Sequence, residues 1–272
     1  MGWGERGATM SGADTFDTPR FEARRAELGL GLGLGAPLVT TAETGSTNDD
    51  AFVAARAGAP HGAVFVADAQ RSGRGRRGSN WTSPPGENLT FSVLLRPSLP
   101  AERISAIALV AGLAVRAAAA ARVAPRVVIK WPNDVLADER KLAGILVESR
   151  LHGAEVEAVV VGIGINVLMR DLPDEIAALA TSLVLLGDPS PGRETLLADV
   201  LAGFEERLGR FERAGLSSLL TELNEHDGLR GKALKVGDTR GEGAGIGAEG
   251  ALLLRGDDGV VRRVTSGTVE RL

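Results

Sequence analysis

A chain of 272 residues that is 44% apolar and 24% charged has the composition of a folded globular protein of about two domains, which excludes wholesale disorder and fibrous repeats. Its 31 basic and 35 acidic residues leave a net charge of −4, which argues against diffuse affinity for nucleic acid or an anionic membrane. The absence of cysteine removes disulfides, zinc thiolate sites and a cysteine nucleophile, and is compatible with a cytoplasmic location.

Residues 1–36 are polar and then glycine-alternating, with no sustained period, and read as a flexible extension with a short helix over 20–28. Trp3, Glu5, Arg6 and Asp14 stand where a signal peptide would need an apolar core. From Pro37 the signals become dense. Thr47-Asn48-Asp49-Asp50 fits a helix N-cap with acid in the first turn, leading into 51–57. Residues 63–67 and 89–95 read as buried strands, and 102–123 as one long helix. Its apolar part contains Ser105 and Arg116 and is mostly alanine. An arginine at mid-membrane costs about 2.5–3.5 kcal/mol, so a core helix is expected there and not a membrane span. Residues 127–130, 142–147 and 156–167 read as further strands, the last with Gly162 and Gly164 set in an apolar run. Ser190-Pro191 opens a helix whose stripe runs through Leu196, Leu197, Val200, Leu201, Phe204, Leu208 and Phe211. After about Asp227 come short strands at 232–236, 251–255, 260–264 and 268–272, with Asp257-Asp258-Gly259 as a hairpin turn. They make a small β-barrel or meander.

Four segments could carry chemistry. Gly73-Arg-Gly-Arg-Arg-Gly78 matches the dinucleotide fingerprint by letter, but the residues from Ser79 to Pro85 cannot open the helix that fingerprint needs. What remains is a glycine loop carrying Arg71, Arg74, Arg76 and Arg77: an anion lid, a solvated basic loop or an RNA contact. Lys130-Trp-Pro-Asn-Asp134 and Arg140-Lys-Leu-Ala-Gly144 hold two of the four lysines in the chain, against 27 arginines. Lysine is the compact charge suited to one phosphate or carboxylate oxygen, while a turn with a solvated lysine is the plainer reading, and Trp131 reads as core. Gly45-Ser-Thr-Asn48 reads as a cap that leaves Ser46 free for a second role. In Gly162-Ile-Gly-Ile-Asn166 the glycines mark a close backbone approach, with Asn166 at the strand end. His61, His152 and His226 stand singly, without metal-ligand spacing, and read as surface residues.

Taken together with Gln70 and Trp81, these segments resemble the biotin protein ligase family, in the family's order and from about Thr41 to the chain end. The resemblance implies an α+β fold: a mixed β-sheet with helices on one side, of the class II synthetase-like biotin/lipoate ligase type, over 37–226, and a small SH3-like β-barrel over 227–272. It implies biotin and ATP as substrates, Mg²⁺ without an evident protein ligand, biotinyl-AMP as intermediate, and the biotin carboxyl carrier domain of a carboxylase as partner. Carried over by motif, Ser46, Thr47, Asn48, Gln70, Gly73, Arg74, Gly75, Arg76, Lys141 and Gly144 would bind biotin. Arg76, Arg77, Trp81, Lys130, Asn133 and Asn166 would bind the nucleotide. Arg74, Arg76 and Lys141 would neutralise the reacting oxygens, and Asp134 would hold or deprotonate the acceptor lysine.

The resemblance also implies a weak or ligand-dependent homodimer. Bifunctional members carry an amino-terminal winged helix-turn-helix, and about 36 weakly patterned residues are too few for one, so a monofunctional enzyme without nucleic-acid or membrane partners is expected. The rivals are a lipoate ligase on the same fold and an RNA-binding module using Arg71–Arg77. The second is disfavoured by the net charge and the lack of tyrosine.

Overall fold

The computed structural model describes residues 16–30, 33–81, 84–124, 126–152, 155–189 and 191–272. In chain order the elements are α1 (Thr18–Glu27), β1 (Leu38–Thr44), α2 (Thr47–Arg56), β2 (Val64–Gln70), β3 (Asn88–Leu95), α3 (Ala101–Ile104), α4 (Ile107–Ala120), β4 (Val127–Lys130), β5 (Asp134–Ala137), β6 (Arg140–His152) and β7 (Glu155–Asn166). They continue as α5 (Asp174–Ala177), α6 (Arg193–Ala214), α7 (Leu220–Glu225), β8 (Ala233–Val236), β9 (Thr239–Ile246), β10 (Leu252–Arg255), β11 (Val261–Val264) and β12 (Val269–Arg271).

The first seven strands form one mixed sheet in the order β1-β2-β3-β7-β6-β5-β4, in which only β1 and β2 run parallel. Period-two alternation decides what each face carries. Leu89, Phe91 and Val93 of β3, Val161, Ile163 and Ile165 of β7, and Ala143 and Ile145 of β6 point to the main core, where α4 and α6 cover them. Helix α4 is buried on nearly every side. It lies within residues 101–120, a stretch long and apolar enough to cross a membrane, and most of that stretch is buried in the fold. The expected single helix over 102–123 is broken, because Ala106 and Ala108 donate to Arg103 and Ser105 in tighter three-residue turns. The alternate residues of the same strands face the other way. There α2 packs Ala51, Phe52 and Ala55 on Phe65, Leu94 and Val160, so the helical layer expected on one side is joined by one helix on the other.

The remaining five strands form an antiparallel sheet in the order β11-β10-β9-β8-β12, with the expected hairpin at Asp257–Gly259 between β10 and β11. Its apolar side, with Leu234, Ile246, Leu252 and Leu254, is continuous with the main core. Between the sheets, Ile129 donates to the carbonyl of His226 and accepts from Gly228. Lys232 and Arg271 both reach Glu139 in the β5–β6 turn.

Residues 16–30 and 33–36 depart from the expected flexible extension; residues 1–15, 31 and 32 of that expectation lie outside the described residues. Helix α1 is capped by Asp17 and lies along α6, with Phe21 fully buried and Leu34 nearly so. Burying a phenylalanine ring is worth roughly 1.5–3 kcal/mol, which ties down a segment whose own sequence has no strong period. Helix α6 is capped at Gly192; Ser190, the expected cap, lies outside the described residues.

Candidate active site

The face of the sheet opposite α4 and α6 is where polar and glycine residues gather. Alternation places Lys130, Asp134, Gly144, Glu148, Thr90, Ser92, Gly162 and Gly164 there. The glycines leave bare backbone, and that space is taken by side chains from elsewhere. A Cβ on Gly162 would stand 2.3 Å from Oδ1 of Asn48, and one on Gly164 would stand 2.3 Å from Cε2 of Trp81. The mid-strand glycines thus mark close approach, as their position in an apolar run suggested.

The floor is built at the start of α2. Ser46, not Thr47, holds the N-cap position and makes no side-chain cap bond. The exposed helix donor is met from β2 instead: Thr47 donates its backbone N–H (2.8 Å) and hydroxyl (3.2 Å) to Oε1 of Gln70. Ser92 Oγ sits 2.7 Å from Thr47 Oγ1 and donates to Oδ1 of Asn48 at 2.6 Å. Asn48 in turn donates to Glu148 at 2.6 Å. The result is a neutral polar floor held by a fixed hydrogen-bond network.

The glycine and arginine loop folds over this floor as a small turn. Trp81 donates its N–H to Gly73 O at 2.9 Å and Gly75 to Ser79 O at 2.7 Å, while Arg77 takes a left-handed backbone at φ 55°. Arg74 forks onto both oxygens of Asp49 at 2.7 and 2.8 Å and lies 3.3 Å from Glu148. That pairing holds the Asp49 carboxyl below the usual carboxylate range and raises Arg74. Arg76 differs. It donates to Asn133 Oδ1 at 3.1 Å, and burial together with the neighbouring Arg77 lowers its pKa, so its charge is poorly solvated. Arg77 donates to Thr268 Oγ1, just before β12 of the second sheet, at 2.6 Å. Across the cavity, Lys141 Nζ stands 2.7 Å from Asp134 Oδ1 and 5.8 Å from the Trp81 ring centre.

These elements enclose a cavity of about 280 Å³. Of the residues expected at the site, Ser46, Thr47, Asn48, Gln70, Arg74, Gly75, Arg76, Arg77, Trp81, Lys130, Asn133, Asp134, Lys141 and Gly144 line it. Two do not. Gly73 shapes the loop through its carbonyl, and Asn166 is buried, donating to Thr181 O at 3.0 Å, which holds the 180–182 segment. Trp131 also borders the cavity, yet it is 2% exposed and donates to Gly250 O, the core role expected of it. Asp49, Ser92, Glu148 and Thr268 were not singled out from the sequence. Asp49 carried a signal as a first-turn acid, whereas the others sit far along the chain from the groups they meet. Of the histidines, His61 is exposed, His226 is half-buried against the expectation, and the side chain of His152 lies outside the described part. His226 is enclosed because its own carbonyl joins the two sheets.

Residues 44–166 match the biotin/lipoate A/B protein ligase family. The biotin–[acetyl-CoA-carboxylase] ligase of Mycobacterium tuberculosis is 36% identical over 211 residues, covering 75% of this chain and 77% of that protein. The chain belongs to the biotin protein ligase family. The bifunctional ligase/repressor BirA of Bacillus spizizenii is 34% identical over 87% of this chain and 74% of its own length. The biotin protein ligase of Aquifex aeolicus, solved in complex with biotin and ATP, superposes with a TM-score of 0.73 at 29% identity over 86% of this chain and 99% of that one. The family fold, a mixed sheet followed by a small antiparallel one, is the one described above.

Proposed function

We propose that the protein activates biotin with ATP to biotinyl-5′-AMP and passes the biotinyl group to a lysine of a biotin carboxyl carrier domain of a carboxylase. The observation that carries this is one cavity with a neutral polar floor at one end and Arg76, Lys141, Lys130 and Arg77 around the rest. A ureido ring is uncharged and needs neutral donors and acceptors, which Ser46, Thr47, Asn48 and Gln70 supply. In the first step a carboxylate oxygen of biotin bonds to the α-phosphorus of ATP and pyrophosphate leaves. Two anions must meet, so the protein's main contribution is fixed positive charge at the reacting oxygens. Arg76 and Lys141 provide it. Trp81, Lys130, Asn133 and Arg77 form the nucleotide side in this reading.

In the second step the carrier amine attacks the acyl carbon, an amide forms, AMP leaves and the amine gives up a proton. Asp134 is the carboxylate at hand to hold that amine or take the proton. ATP enters as its magnesium complex. Among the described residues no three acidic or histidine side chains gather as a metal site, and in this reading the ion rests on phosphate oxygens and water. The same reading places the enzyme in the cytoplasm, with the carrier domain as its protein partner, a weak or ligand-dependent homodimer as its assembly, and no nucleic acid or membrane involved.

The test is to incubate the protein with ATP, a carrier domain and either biotin or lipoate, and to weigh the carrier. A biotin adduct on one lysine is expected. A lipoyl adduct formed in preference would place the protein in the other branch of the fold.

A further inference from the structure

Among the lid arginines, Arg74 is set apart by what it already holds. Its guanidinium is engaged in a two-point fork with Asp49 and by a second carboxylate, Glu148. A fork filled in this way is not open to a substrate carboxylate unless the pair breaks. Arg76 makes no ion pair among the described residues, bonds to the neutral Asn133 and lines the cavity. Asp49 itself lies outside the cavity lining, on an exposed part of the first turn of α2.

The loop needs a tether. The hydrogen bonds of Gly75 with Ser79 and of Trp81 with Gly73 give it shape but run within the loop itself. Gly73, Gly75 and Gly78 make it costly in entropy to hold in one place. What fixes it to the body of the protein is Trp81 against Gly164, Arg76 on Asn133, Arg77 on Thr268, and Arg74 on Asp49 and Glu148. Within 73–81 only the last joins opposite charges; Arg71, at the base of the loop, pairs with Glu43 at 3.0 Å. Glu148 also accepts from Asn48, so one carboxylate serves both the floor and the lid.

We propose that Asp49 is a positioning residue, a latch that holds Arg74 and through it keeps the 73–81 loop closed over the cavity. Arg74 then acts by closing the loop, while Arg76 and Lys141 meet the reacting oxygens. Asp49 thereby governs how long an adenylate stays enclosed and leaves the rate of its formation alone. The consequence for substrate rests on the ligase reading; the latch itself does not.

The experiment measures amide hydrogen exchange at Gly75, Ser79 and Trp81 without any ligand, and the dissociation of biotinyl-AMP, in Asp49→Asn, Arg74→Gln and the double variant. Asp49→Asn is expected to raise loop exchange and adenylate release by roughly twofold to fivefold, the range of a half-exposed ion pair, with adenylation at saturating biotin unchanged. In both readouts the double variant should match Arg74→Gln alone, since the two residues act as one device. Asp50→Asn removes the neighbouring first-turn charge without touching Arg74, and it should leave loop exchange as it was. Exchange and release unchanged in Asp49→Asn, effects that add in the double variant, or an equal rise in Asp50→Asn would each overturn the latch. Raised exchange in a protein that binds no biotin would keep the latch and refute the ligase reading.

Discussion

Oδ1 of Asp134 stands 2.7 Å from Nζ of Lys141. The pair joins β5 to β6 beside an irregularity in their register at Leu142, which turns Lys141 toward the cavity although Ala143, two residues on, faces the core. The ammonium is therefore shared between a fixed carboxylate and whatever anion enters. In the proposed reading the same pair would serve both half-reactions, Lys141 toward the phosphate and Asp134 toward the acceptor amine.

Separating the two roles is straightforward. Lys141→Ala should lower biotinyl-AMP formation at least about tenfold, about 1.4 kcal/mol of transition-state binding. Asp134→Asn should leave that step within about threefold while slowing transfer from preformed biotinyl-AMP to the carrier about tenfold or more. Single-turnover assays of each step give both numbers. Equal losses in both steps for both variants would mean the pair is only a structural strut.

A second prediction concerns the wall under Trp81. A Cβ on Gly164 would come within 2.3–2.7 Å of the indole Cε2, Cζ2 and Nε1, so Gly164→Ala must push the ring out. Overpacking of this kind costs about 1–3 kcal/mol, and we expect weaker ATP binding by about tenfold with the fold intact. Calorimetry with ATP, with circular dichroism as a control, measures it. Unchanged affinity would remove Trp81 from the nucleotide side.

Much of this was legible in the sequence, for physical reasons. Strands buried on both faces, such as β3 and β7, announce themselves as apolar runs, and the helix stripe of α6 fits one face of a helix. The missed strands lack such contrast. Leu38–Thr44 is threonine-rich and only half buried at the sheet edge, Asp134–Ala137 has four residues, and Thr239–Ile246 is interrupted by three glycines. At the site, local motifs identified the lining, but the residues that anchor it come from distant parts of the chain. Nothing around Glu148 in the sequence indicates that it meets both Asn48 and Arg74. The sequence marks Asn166 only as a polar group at a strand end, and its nucleotide role is an implication of the resemblance; its bond to Thr181 O depends on a segment fifteen residues further along the chain.

Third, the amino-terminal segment splits in two. Removing residues 1–15 should leave turnover within about threefold, less than ~1 kcal/mol. Phe21 is fully buried against the helical layer, so Phe21→Ala should cost about 3–5 kcal/mol of stability, read by denaturant unfolding. A loss under ~1 kcal/mol would mean that α1 is docked only loosely.

Fourth, burial raises the carboxyl pKa of Asp227, which lies where the two sheets meet, caps Leu229 with one oxygen and leaves the other without a partner. A carboxyl whose pKa is higher in the folded state favours the fold while protonated, and that contribution is lost as pH rises through the folded value. Asp227→Asn keeps the cap without the charge, so it should raise Tm at pH 7, with the gain shrinking as the pH falls into the acid range. Melting curves of both proteins across pH test this. A Tm difference independent of pH would show that the carboxyl is not ionised at the cost of the fold.

The most direct measurement of the central claim is exchange of labelled pyrophosphate into ATP, which reports the first half-reaction without any carrier. Exchange should appear only when biotin is present and should fall about tenfold or more in Lys141→Ala, in line with its lost adenylation. Exchange that proceeds without biotin, or that lipoate supports better than biotin, would contradict an adenylate-forming site built around Arg76 and Lys141 for biotin.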